Sequence, residues 1–138
     1  MEVRVHEVIR ALARNHRVLL LGGHAMIFHG LDRPTIDSDV WLDPAEDAEA
    51  WTQNLAASVE PFAEAYFWDL ANREKVQICA VAELVEAFGV IRIGGLEEDL
   101  DVFRRPNNFV EHEFDRVWAE SASLALEQVR VFADVDLL

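Results

Sequence analysis

Cysteine, lysine and tyrosine are nearly missing from this chain: among 138 residues there is one of each, Cys79, Lys75 and Tyr66. A single thiol forms no intramolecular disulfide and no cysteine-based zinc site, so a reducing compartment is expected. Positive charge is scarce as well. Twelve Lys and Arg against 26 Asp and Glu leave a net charge of −14, and such a surface repels nucleic acid, whose binding depends on neutralising phosphates. A polynucleotide partner would need a local basic patch. No run approaches the roughly 20 apolar residues of a membrane-spanning helix, and Met1 to Glu7 lacks the uninterrupted apolar segment of a secretion signal. The expected location is cytoplasmic, with no membrane partner. Six glycines and four prolines are scattered, and no linker, repeat or low-complexity tract is visible. One domain over residues 1–138 is expected, with 51% apolar residues to fill a two-layer core.

What is present alternates between helical and extended patterns. Val5, Val8, Ile9, Leu12 and Ala13 recur at helical spacing within Val3 to Asn15. Arg17 to Leu21 is short and evenly apolar, the pattern of a buried strand, and it ends at Gly22-Gly23. His24 to His29 reads as a short helix stopped by Gly30. Ile36 to Leu42 is a second strand, closed by Asp43-Pro44. Asp43 is expected to cap the next helix, with Pro44 in its first position and an end near Ser58. Glu60 to Lys75 fits no single period. Ala82 to Ala87 reads as helix. Val90 to Ile93 and Leu100 to Phe103 read as two strands of a hairpin, joined by Gly94-Gly95 and an acidic loop. Val110 to Ala119 is predicted helical and Val129 to Val131 a late strand. The order implies an α/β (α+β) domain, a central mixed β-sheet flanked by helices.

The chemistry concentrates in the carboxylates. Alternation puts Asp37 and Asp39 on one face of their strand, about 7 Å apart, while Ile36, Ser38 and Val40 face the other way. Two carboxylates so placed repel each other, and a divalent cation between them would remove that cost. Asp101 is the best third member, because it too is a carboxylate on an otherwise apolar strand; Asp99 shares its parity. If the two strands are neighbours, the ladder spacing of about 4.8 Å brings the groups together. Carboxylate oxygens suit Mg2+ or Mn2+ better than zinc. A strand that turns at Gly22-Gly23 either makes a plain turn or presents backbone N–H groups to a phosphate. Trp41, Trp51, Trp68 and Trp118 read as core or interface, and Arg104-Arg105 as a solvated pair.

The segment Gly22-Gly23-His24-Ala25 to His29-Gly30, with Arg33-Pro34-Thr35-Ile36-Asp37-Ser38-Asp39, resembles the nucleotidyltransferase superfamily with the polymerase-beta-like fold. Within it, the chain looks most like the AbiEii-toxin and minimal-nucleotidyltransferase branch. Residues 22 to 39 match the motif of paired small residues followed by Asp-x-Asp, and the family's third carboxylate maps to Asp101. The resemblance implies a nucleotidyltransferase-type domain that moves a nucleoside monophosphate from NTP to an acceptor hydroxyl. Asp37, Asp39 and Asp101 would be catalytic and metal-binding, and Gly22 and Gly23 would hold the triphosphate. Arg33 and Thr35 are the neighbouring candidates for phosphate contact. The acceptor is RNA, protein or a small molecule, and a toxin–antitoxin or phage-defence role follows by family likeness. The partner would then be an antitoxin-type protein or a second copy of the chain. Gly23 stands where many members carry Ser, and few cations follow Asp101, so the alternative is a catalytically inactive nucleotide- or partner-binding module of the same fold.

Overall fold

Apolar side chains at helical spacing bring Val5, Val8, Ile9 and Leu12 to one side of helix α1 (Val5–Ala13), and all four are buried. The computed structural model describes residues 5–21, 37–106, 113–120, 122–123 and 129–131, with the last two spans and residues 37 and 38 given as backbone only. After α1 come strands β1 (Val18–Leu21) and β2 (Asp37–Leu42), helix α2 (Ala48–Val59) and the hairpin β3 (Tyr66–Asp69) and β4 (Glu74–Val76). Helix α3 (Ile78–Phe88), strands β5 (Val90–Gly94) and β6 (Asp99–Phe103), helix α4 (Phe114–Glu120) and strands β7 (Ala122–Ser123) and β8 (Val129–Val131) complete the described elements. The predicted helix over residues 24–29 falls outside them.

All eight strands form one mixed sheet in the order β4-β3-β5-β6-β2-β1-β8-β7. Pairing is parallel at β2/β6 and β1/β8 and antiparallel elsewhere. The sheet thus carries helices and has the mixed character that the order of patterns implies.

Alternation divides its two faces. Val18, Leu20, Val40, Leu42, Ile91, Ile93, Leu100 and Val102 point to one side and pack against α1, α2 and α3 in the main core. Each of these fully buried aliphatic side chains contributes on the order of 1.5–3 kcal/mol by leaving water. Trp51 anchors α2 to this layer and donates its indole N–H to the Leu42 carbonyl at 3.2 Å. The opposite face holds a smaller cluster: Leu19 and Trp41 with Phe114 and Val117 of α4.

Three sequence expectations change. Helix α2 begins at Ala48, not after Pro44, because Asp47 supplies the cap, accepting the Ala50 N–H at 2.8 Å. Asp43 is held elsewhere: one oxygen accepts the Ala45 N–H at 3.0 Å and the other takes Arg17 Nε at 2.8 Å. A carboxylate that closes a turn two residues on is spent as a cap. The stretch from Glu60 to Lys75, without a readable period, holds β3 and all but the last residue of β4. Its strands are short, and β4 is largely exposed, so neither face is uniformly apolar. Helix α3 also starts earlier than expected, at Ile78, which leaves Cys79 exposed on it.

Glycine is required at the β5–β6 connection. Gly95 has φ +84°, and a Cβ there would lie 2.0 Å from the Glu64 carbonyl oxygen. The same loop fastens α1, whose Val5 N–H donates to Glu97 Oε1 at 3.2 Å, a favourable place for a carboxylate at a helix N-terminus.

Candidate functional site: a carboxylate row on one face of the sheet

The parallel ladder between β2 and β6 sets Asp37 opposite Asp99 and Asp39 opposite Asp101. Cross-strand partners share a face and lie about 4.8 Å apart in the ladder direction. The expectation that the two aspartate strands are neighbours therefore holds, and so does the shared parity of Asp99. Asp39 is half-buried and Asp101 is 9% exposed. The Asp37 side chain, together with Gly22, Gly23, Arg33 and Thr35, lies outside the described residues. Gly22 follows directly on Leu21, the β1 residue paired with Asp39.

The same face continues from the carboxylates to Trp41 and Phe103, where α4 covers it. Trp41 meets Phe114 edge-on at 5.1 Å and donates its indole N–H to the Arg104 carbonyl at 3.0 Å. Arg17 ties α4 down: its guanidinium pairs with Asp43 and Asp115 and lies over the rings of Phe114 and Trp118 at 5.0 and 5.4 Å. Partial burial acts to lower the Arg17 pKa, but the bonds to Asp43 and Asp115 outweigh it and the group titrates above its ordinary range. The aromatic end of this face is thus closed by α4.

Sequence reasoning missed Arg92. The β5–β6 hairpin sets it opposite Asp101. Arg92 Nε donates to Asp101 Oδ1 at 2.7 Å, Nη2 to Oδ2 at 3.2 Å, and Nη1 to Asp99 Oδ2 at 3.3 Å. This forked geometry is the one guanidinium makes best with a carboxylate. A signal was present, since Arg92 is the one cation in Val90-Ile91-Arg92-Ile93 and has the parity opposite to buried Ile91 and Ile93. Its partner was not readable, because the irregular loop hid the hairpin register.

The other cations fall differently from expectation. Arg104 is 6% exposed, so the pair Arg104-Arg105 is not a solvated one. The Arg104 N–H bonds the Gly89 carbonyl where β6 leaves the sheet. Arg105 Nη2 donates to the Glu86 carbonyl at 3.4 Å on α3.

Among the described residues, no three Asp, Glu, His or Cys side chains converge as an ion site. The donor chemistry nonetheless fits a hard divalent cation: Asp39 and Asp101 are cross-strand carboxylate partners, and each Asp101 oxygen that accepts from Arg92 keeps a second lone pair. No helix among the described residues is long and apolar enough to cross a membrane. Comparison with family models, with curated proteins and with solved structures gives no match.

Proposed function

We propose that the chain is a Mg2+- or Mn2+-dependent nucleotidyltransferase that moves a nucleoside monophosphate from NTP to an acceptor hydroxyl. The observation that carries this reading is the β2–β6 register, which makes Asp39 and Asp101 lateral neighbours and puts Asp37 one step along the same face. In the reaction, the acceptor oxygen bonds to the α-phosphorus as the bond to the bridging oxygen breaks. Pyrophosphate leaves with that electron pair, and the hydroxyl proton is lost to solvent. Asp37 and Asp39 would hold the metal, with Asp101 completing the acceptor side; the bound cation supplies neutralisation of the triphosphate and activation of the acceptor oxygen. Gly22 and Gly23, with Arg33 and Thr35, take the triphosphate. A toxin–antitoxin or phage-defence setting belongs to the same reading and rests on the sequence resemblance.

One observation favours a second reading, a nucleotide- or partner-binding module without turnover: Arg92 already compensates the charge of Asp101 from both oxygens. The two separate in one assay. Incubation with Mg2+ or Mn2+, each labelled NTP and RNA, protein or small-molecule acceptors should transfer label in the wild type and not in the Asp37→Asn, Asp39→Asn double variant. Undiminished transfer in the double variant overturns the site, and nucleotide binding without transfer selects the second reading.

A further inference from the structure

The row that contains the carboxylates does not stop at Arg92. Successive cross-strand partners run Leu21, Asp39, Asp101, Arg92, Trp68 and Lys75, one from each of β1, β2, β6, β5, β3 and β4, all on one face. Beyond Arg92 the face opens into a groove of about 400 Å³, lined by Tyr66, Trp68, Leu70, Arg73, Arg92 and Asp99 among others. That is within the size range of small-molecule sites. The Tyr66 ring lies across Gly94, where a Cβ would come within 2.5 Å of it. Lys75 Nζ sits 4.3 Å from the Tyr66 ring centroid, and Tyr66 and Trp68 meet edge-on at 6.4 Å. In a chain of net charge −14, the β3–β4 hairpin brings Arg73 and Lys75 beside two half-buried aromatic rings, while Arg92 at the groove's inner edge is paired with Asp101 and Asp99. A guanidinium beside aromatic side chains is the combination that binds a phosphate while a ring stacks on its base.

We propose that the groove holds a nucleotide, its base against Trp68 and its phosphate at Arg73. Resting on the transferase reading above, that nucleotide is the acceptor. Topology supplies the reason: β1, which leads to the glycine pair, flanks the carboxylate strands on one side, and β5 and β3 flank them on the other. A donor held at the glycines leaves the β5–β3 side for the second substrate. Trp68 is two strand spacings from Asp101, about 10 Å, so a stacked nucleotide can direct a ribose hydroxyl toward the carboxylates.

The test is calorimetric titration of the whole chain in EDTA, so that no metal is needed, with AMP, adenosine and a tetraadenylate bearing a free 3′ hydroxyl. Trp68→Leu and Arg73→Ser are the variants, with Trp68→Phe keeping a ring should Trp68→Leu fail to fold. AMP should bind, adenosine more weakly, and Trp68→Leu should weaken AMP about tenfold, as expected for loss of one stacked base. Trp68→Phe should retain most of the binding, and Arg73→Ser should lower AMP toward adenosine. Tighter binding of the tetraadenylate assigns the groove to a strand end, and equal binding assigns it to a free nucleotide. Saturation by neither ligand, or binding indifferent to both Trp68→Leu and Arg73→Ser, overturns the proposal. Groove binding that persists without any label transfer sinks the transferase reading, and with it the acceptor role, and leaves the nucleotide site standing; transfer to a non-nucleotide acceptor with an empty groove sinks this inference alone.

Discussion

Replacing Arg92 by Met keeps the apolar stem and removes the charge that Asp101 and Asp99 share. The side chains of Arg92 and Asp101 are 24% and 13% exposed, so the pair lies between a surface bridge, worth about 0–1 kcal/mol, and a buried one, whose breakage costs about 3–5 kcal/mol. Two charges about 4 Å apart attract by about 4 kcal/mol at an effective dielectric near 20, before desolvation is subtracted. The expected loss is therefore about 2–3 kcal/mol, most of it from leaving Asp101 buried beside Asp39 without a counter-charge. At roughly 3–5 °C per kcal/mol for a chain of this size, thermal unfolding should fall by about 6–15 °C. The assay is urea unfolding of Arg92→Met, Asp101→Asn and the double variant, with and without Mg2+. The coupling energy should be about 1.5–3 kcal/mol. Saturating Mg2+ should stabilise Arg92→Met more than the wild type, because the cation then meets carboxylates with no competing guanidinium. A coupling energy below about 0.5 kcal/mol, or equal stabilisation of both proteins by Mg2+, would refute the argument.

Gly95→Ala should cost at least about 2 kcal/mol in urea unfolding, since the residue combines φ +84° with a Cβ position 2.0 Å from the Glu64 oxygen and strained left-handed backbone alone costs about 1–3 kcal/mol. Trp41→Phe removes the indole N–H that donates to the Arg104 carbonyl and should lose about 0.5–1.5 kcal/mol in urea unfolding, the usual net worth of one hydrogen bond; near-UV circular dichroism will show whether the Phe114 contact survives. Asp69 accepts the Asn72 side-chain amide, the Asn72 N–H and the Ala71 N–H, which hold its pKa below the ordinary 3.8 against the opposing effect of burial. A depressed folded pKa means the unfolded chain binds the proton first, so this stability is present above the ordinary carboxylate range and is lost as pH falls through and below it. Between pH 5 and about pH 2, the unfolding free energy of Asp69→Ala should fall less steeply than that of the wild type.

The sequence by itself determined the parity of the aspartates. A strand has a side-chain period of two, so Asp37, Asp39 and Trp41 had to share a face opposite Val40 and Leu42, and Asp99, Asp101 and Phe103 likewise. It also marked α1, β1, β2, β5, β6 and β8 closely, because α1 has a clean helical spacing, β1 and β5 are mainly apolar runs, and β2, β6 and β8 keep their charged residues to one parity. The cap at Asp47 was less legible, since Asp43 has the same chemistry and only the competing Arg17 bond decides between them. The β3–β4 hairpin was not legible: its short strands bury neither face fully, so no period marks them. Tertiary structure alone decided which strands are neighbours. Pairing β2 parallel to β6, and β6 antiparallel to β5 and then β3, is a matter of long-range register. That register joined Asp39 to Asp101, brought Arg92 onto both Asp101 and Asp99, and set Trp68 and Lys75 in the same row. Side-chain alternation is a local property of extended backbone, whereas lateral order depends on loop closure and core packing over the whole sheet.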